Sequence, residues 1–184
     1  MAARQAGERL FFALWPSAAE ARAMADFAAG LACRGGRRIT TDRLHLTLAF
    51  IGAVDGGRRR AIEAMAATLA GTAFALQFDQ VALWRRSGIV WAGCSQVPAG
   101  AVALHEALRG RLAGLGVAVE RRGFHPHVTL FRRATALVAP PPPMLTWTCR
   151  DFVLAGSELD AAGARYRVLT RFPLGPASGP AYSG

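Results

Sequence analysis

The 184-residue chain contains no lysine and no asparagine. Without lysine there is no amine for a Schiff base or a lysyl-nucleotide intermediate. A phosphate loop of the G-x-x-x-x-G-K-S/T kind cannot form either. A ligase that works through an adenylated lysine is therefore excluded. Cysteine is scarce: Cys33, Cys94 and Cys149 are odd in number, far apart, and include no C-x-x-C pair. A reducing, cytoplasmic setting suits that pattern. No stretch is long and apolar enough to span a membrane. The apolar run at Arg9 to Pro16 is too short for a secretory leader, and Pro16 stops it. Acidic residues are few, twelve against 22 basic ones, for a formal charge of +10. Every basic residue is arginine. The coding bias of a GC-rich genome accounts for much of the Arg, Ala and Gly excess. An arginine-rich surface still favours an anionic partner, because guanidinium groups grip phosphates bidentately.

Hydrophobic residues make up 52% of the chain. The length suits one domain, or two small lobes sharing a core. Arg9 to Trp15 reads as a buried strand. Ser17 to Glu20, SAAE, is a capping box that opens a helix to about Ala32. CRGGRR, Cys33 to Arg38, reads as a loop leading to a strand at Leu44 to Phe50. Asp55 caps a second helix to about Ala70. A hairpin follows, with Phe74 to Trp84 and Ile89 to Cys94 as its arms. Pro98 starts a third helix that ends near Gly114. Pro126 to Phe131 is strand-like, and Pro140 to Pro143 forms a stiff connector. Thr146 to Leu154 and Ala164 to Phe172 read as a closing hairpin. The tail from Pro173 is rich in Pro, Gly and Ser and is expected to be mobile.

One short phrase occurs twice. LHLTL, Leu44 to Leu48, returns as PHVTL, Pro126 to Leu130, with the histidines 127 − 45 = 82 residues apart. Shifting the first half by that spacing lays strand on strand, helix on helix and phrase on phrase. A duplicated α+β unit, about residues 9–50 and 91–132, is the natural reading. In a strand, side chains alternate faces. Leu44, Leu46 and Leu48 then face a core, and His45 and Thr47 face away together. Val128 and Leu130 leave His127 and Thr129 together in the same way. If a pseudo-twofold relates the halves, two imidazoles and two hydroxyls meet across a cleft. Two histidines beside a phosphodiester make a general base and a general acid. Two threonine hydroxyls can donate to the non-bridging oxygens as charge builds there.

Other candidates weigh less. A metal site would need a third ligand or carboxylates beside the motifs, and none lies in sequence there; Asp42 precedes the strand or faces the core. His105, beside Glu106 in a helix, reads as a surface residue. His125 lies outside the repeat, where its counterpart is Arg43, and reads as peripheral. Phe11 and Phe12 read as core. Arg132, five after His127, leaves the histidine face by strict alternation unless the strand ends or bulges first; at the cleft mouth it would clamp a phosphate.

HLTL at His45 to Leu48 and HVTL at His127 to Leu130 resemble the paired H-x-T-hydrophobic motifs of the two-histidine phosphoesterase superfamily. Within it, the chain resembles the RNA 2′,3′-cyclic phosphodiesterases of the LigT family, also called 2′-5′ RNA ligases. RLFFAL (Arg9 to Leu14), HLTLAFIG (His45 to Gly52), FHPHVTLFR (Phe124 to Arg132), SEL (Ser157 to Leu159) and YRVL (Tyr166 to Leu169) carry the likeness over about residues 9–174. Ile51-Gly52 stands where the family usually has Leu-Gly. The resemblance implies a bilobal α+β fold, a pseudo-twofold duplicated unit with antiparallel sheets facing a central groove and helices outside. It implies cofactor-free, metal-independent opening of a 2′,3′-cyclic phosphate to a 2′-phosphomonoester. His45 is implied as proton donor and His127 as proton acceptor, with Thr47, Thr129 and Arg132 holding the phosphate. The expected partner is RNA with a 2′,3′-cyclic phosphate end, with 2′-5′ ligation possible as the reverse reaction; the protein is expected to act as a monomer. Two alternatives stay open: a phosphodiesterase acting on small cyclic nucleotides such as ADP-ribose cyclic phosphate, and a non-catalytic RNA- or nucleotide-binding module.

Overall fold

Side-chain alternation sets the layers. The computed structural model describes residues 9–119, 123–160 and 163–176. In strand β1 (Arg9–Leu14), Leu10, Phe12 and Leu14 enter the main core, whereas Phe11 and Ala13 join a smaller cluster with Val153 and Ala155. The main core takes Met24 and Ala28 from helix α1 (Ala18–Ala29) and Ile62 and Ala66 from α2 (Gly56–Ala67). It also takes Ala101, Leu104, Leu108 and Leu112 from α3 (Ala99–Gly114). The helices therefore cover one face of the sheet, and their burial drives the docking. The capping box is present: the Ser17 side chain accepts from the Glu20 N–H, and Glu20 accepts from the Ser17 N–H at 2.8 Å. Asp55 caps α2 by accepting from the Arg58 N–H at 2.8 Å.

The remaining strands are β2 (Cys33–Arg38), β3 (Leu46–Ala53), β4 (Phe74–Phe78), β5 (Gln80–Trp84), β6 (Ile89–Gly93) and β7 (His127–Leu137). They are followed by β8 (Leu145–Cys149), β9 (Asp151–Asp160) and β10 (Gly163–Pro173). The strand pairs are antiparallel, in one eight-stranded sheet ordered β10-β9-β1-β3-β7-β6-β5 with β2 also on β7, and a two-stranded sheet of β4 and β8. The α+β class and antiparallel sheets expected from the sequence are what the chain forms. The two half-sheets are nevertheless joined, at one registered pair, Leu46 opposite Val128. Beyond that pair they part, and the gap between them is the groove.

Three local expectations are corrected. CRGGRR is an edge strand rather than a loop: it pairs with β7, with Cys33 opposite Leu137 and Arg38 opposite Phe131. Glycines hid it, because Gly35 (φ 62°) and Gly36 (φ 81°) supply the left-handed backbone that a bulged edge requires. The long first arm of the expected hairpin is two strands in different sheets. Asp79 breaks it, its carboxylate accepting from the Ser95 N–H at 2.7 Å and from the Ser95 hydroxyl. The closing hairpin is β9 with β10; Thr146 lies on β8, which leaves to pair with β4. Of the expected mobile tail, Pro173 ends β10, Leu174 is buried and Gly175 bridges Thr72, whereas 177–184 lie outside the described residues.

Candidate active site

Each H-x-T phrase sits at a strand entrance. Leu44, Leu46 and Leu48 are buried to 2% exposure or less, as are Val128 and Leu130. That anchoring turns His45 and Thr47, and His127 and Thr129, to the other face. All four side chains, with Arg132, line one cleft of about 560 Å³ between the half-sheets. Phe11, Phe50 and Tyr166 wall the same cleft.

Arg132 reaches the cleft through a bulge. Trp91 registers with Thr129 and Val90 with Phe131, so Leu130 drops out of the ladder and the alternation behind it is reset. β3 bulges at the equivalent residue: Ala13 registers with Thr47 and Phe12 with Ala49, leaving out Leu48. Leu48 and Leu130 are themselves 130 − 48 = 82 apart. A second shift, with Phe11 opposite Phe50 and Leu10 opposite Gly52, leaves Ile51 buried and Phe50 59% exposed in the cleft. Strict alternation would have sent Phe50 inward. The residue that stands at Arg132's position in the first phrase is thus an open aromatic plate.

The two imidazoles are held in the same way. Nδ1 of His45 lies 2.8 Å from the Arg43 carbonyl, and Nδ1 of His127 lies 2.8 Å from the His125 carbonyl. A carbonyl only accepts, so each Nδ1 carries the hydrogen and each Nε2 is left as the exchangeable nitrogen. Trp15 stacks on His45 at 5.3 Å and 8°, and Tyr166 meets it edge-on at 4.8 Å. Trp84 meets His127 edge-on at 4.6 Å. The Arg43 guanidinium lies 5.5 Å above the Tyr166 ring. Sequence reasoning missed Trp15, Trp84 and the paired carbonyls. Only the symmetry of Arg43 and His125 within the repeat hinted at the carbonyls.

Burial pushes His45 down to about 4, helped by the charges of Arg132, His127 and Arg43 and opposed by the Arg43 carbonyl. Burial also lowers His127, with His125 and Arg132 adding to the effect and the His125 carbonyl opposing it. The positive charge of Arg132 is thus felt at both rings. Both shifts favour a site that is neutral at its histidines until an anion enters.

His105 is not a surface residue. It is 8% exposed, stacks on Phe124 at 4.2 Å and 9°, and its Nδ1 lies 2.8 Å from the Leu48 carbonyl. Leu48 is the bulged residue, so His105 satisfies a carbonyl that the ladder has released. His125 contributes more than its edge position suggested, through its carbonyl and an edge-on contact with Trp91 at 4.9 Å. Phe12 is core, and Phe11, 3% exposed, packs beneath His45 at 5.1 Å. Asp42 lies in the 3-10 turn Thr41–Arg43, ahead of β3. Among the described residues no group of three or more His, Cys, Asp or Glu side chains gathers as a metal would require, and no helix is long and apolar enough to cross a membrane.

Residues 13–154 match the 2′-5′ RNA ligase superfamily, and the chain belongs to that family. It is 35% identical over 170 residues to the RNA 2′,3′-cyclic phosphodiesterase of Escherichia coli strain K12, covering 91% of this chain and 97% of that protein. The crystal structure of E. coli LigT complexed with 3′-AMP has a TM-score of 0.84 at 35% identity, over 91% of this chain and 98% of that one. The crystal structure of TT0787 of Thermus thermophilus follows at 0.78 and 27% identity, over 90% and 97%. The resemblance carried by the paired phrases is the family in which the whole chain falls.

Proposed function

We propose that this protein hydrolyses 2′,3′-cyclic phosphodiester ends of RNA to 2′-phosphomonoesters by acid–base catalysis between two histidines, without a metal. The observation that carries this reading is the convergence of His45, Thr47, His127, Thr129 and Arg132 on one cleft. Family membership and the similarity to the E. coli phosphodiesterase support it.

Water attacks phosphorus while Nε2 of His127 takes its proton. The P–O3′ bond breaks, and O3′ takes a proton from Nε2 of His45, leaving the phosphate on O2′. Thr47, Thr129 and Arg132 donate to the non-bridging oxygens as charge accumulates. The anionic phosphodiester favours the imidazolium form of His45, so binding itself raises the donor from its low resting value. Proton exchange with solvent resets both rings. A 5′-hydroxyl in place of water, attacking the cyclic phosphate with the same two proton transfers, forms a 2′-5′ linkage, the route left to a chain without lysine.

One chain supplies all five groups, so the site is complete in a monomer. Three free cysteines suit a reducing cytoplasm. Small cyclic nucleotides would be opened by the same chemistry. A purely binding module would not need two imidazoles held identically. The test is incubation of RNA bearing a 2′,3′-cyclic phosphate with and without EDTA, with the product read by phosphorus NMR. A 2′-phosphate in both samples is expected. No turnover, a 3′-phosphate, or loss in EDTA restored by a divalent ion would overturn the reading.

A further inference from the structure

The carbonyl tethers treat the two histidines alike, and the residues across the strands do not. Ala13 registers with Thr47 and Leu14 with Leu46, so one step further sets Trp15 across from His45. In the other half Trp91 registers with Thr129, Ala92 with Val128 and Gly93 with His127. The position opposite the histidine is thus an indole in one half and a glycine in the other. No side chain fits at the glycine, because a Cβ on Gly93 would lie 2.7 Å from the Trp91 ring. Directly opposed residues of an antiparallel pair project from the same face. Trp15 lies flat on its partner, with ring centroids 5.3 Å apart and planes at 8°. His127 instead meets Trp84, from β5, at 72°.

The indole is fixed in place. Trp15 continues the alternation of Phe11 and Ala13 and packs on their cluster with Val153 and Ala155. Pro16 restricts its backbone to the extended region, and the Ser17 cap of α1 follows at once. An aromatic face carries negative potential, and a cation within about 6 Å of the ring centroid is attracted to it. A protonated His45 meets that condition. Arg43 from the 3-10 turn and Arg132 and His127 from β7 set positive charge against that proton. Tyr166 from β10 meets the ring edge-on, and no carboxylate is among the described residues that line the cleft. With burial and those charges opposing it, a proton on His45 is favoured by the Arg43 carbonyl and by the flat indole face.

We propose that Trp15 is a positioning residue that makes His45 the proton donor, its indole face holding the imidazolium flat and charged beside the leaving O3′. The proposal rests on the phosphodiesterase reading above. Site-specific replacement of Trp15 by mono-, di- and trifluorotryptophan withdraws charge from the ring face and nearly preserves shape and burial. Single-turnover rates are then measured on a 2′,3′-cyclic phosphate and on its 3′-thio analogue. The rate on the oxygen substrate should fall stepwise with each fluorine, by about five- to thirtyfold over the series, the scale of a desolvated cation–π contact. The 3′-thio substrate, whose leaving sulfur needs no proton, should show no trend. The same replacements at Trp147, packed on Phe78 in the core, should change neither rate. A flat series on the oxygen substrate, equal slopes on both substrates, or the same loss at Trp147 overturns the role of Trp15 and leaves the phosphodiesterase reading standing. If the wild type opens neither substrate, that reading fails. Nitrogen NMR of the His45 ring with inorganic phosphate added then reads Trp15 alone. The titration midpoint should fall with each fluorine, and a fixed midpoint overturns the proposal.

Discussion

Each histidine of the paired phrases is fixed by a carbonyl two residues behind it, so the two rings differ in surroundings rather than in tautomer. Replacing either His45 or His127 by alanine should lower kcat by about 10²–10⁴-fold in single-turnover assays. Thr47→Ala and Thr129→Ala should each cost about ten- to a thousandfold through loss of a donor to the developing charge. Wild-type rates in both threonine variants would make those hydroxyls structural. The pH dependence separates free from bound enzyme. With His45 at about 4 and His127 below its ordinary value, both limbs of kcat/KM should fall below about pH 6.5. The apparent values belong to the pair. The limbs of kcat should lie at higher pH, because a bound anion favours the protonated rings. Coincident profiles would contradict this coupling of charge to binding.

At the scale of elements, the decisive features are the two bulges after the threonines. They turn Arg132 and Phe50 into the cleft, and His105 on α3 holds the first of them through the Leu48 carbonyl. His105→Phe should destabilise the fold by about 1–3 kcal/mol, the cost of a buried carbonyl left without a partner. It should also lower kcat by displacing Thr47; denaturant melts and turnover check the two together. A stable variant with normal kcat would show that the ladder alone holds the bulge. The paired phrases, the capping box and the helix starts were legible in the sequence because each is a local pattern with one physical meaning. The bulges were not. Alternation sends Phe50 inward and Arg132 away, and nothing in LHLTLAF or PHVTLFR marks the skipped leucine. β2 was hidden because Gly35 and Gly36 read as loop until their partner strand is known. His105 was misplaced because its partner, a carbonyl 57 residues away, is invisible from its helix.

Over the whole molecule, the half-buried imidazoles of His45 and His127 make stability depend on pH. Their folded values lie below those of the unfolded chain, so the unfolded state binds more protons as the medium acidifies. Their contribution is fully present above about pH 6.5 and is lost as pH falls towards 4, where His45 titrates when folded. Melting temperature should drop over that interval, less steeply in His45→Gln, and added inorganic phosphate should offset the drop. The fold brings two like phrases onto one cleft, and the central proposal is that they act from opposite sides of one phosphorus and do different work. A substrate with a 3′-thio leaving group needs no proton at that atom. It should largely restore turnover in His45→Ala and leave His127→Ala inactive. Rescue of His127→Ala instead would exchange the roles, and rescue of neither would contradict the two-histidine account.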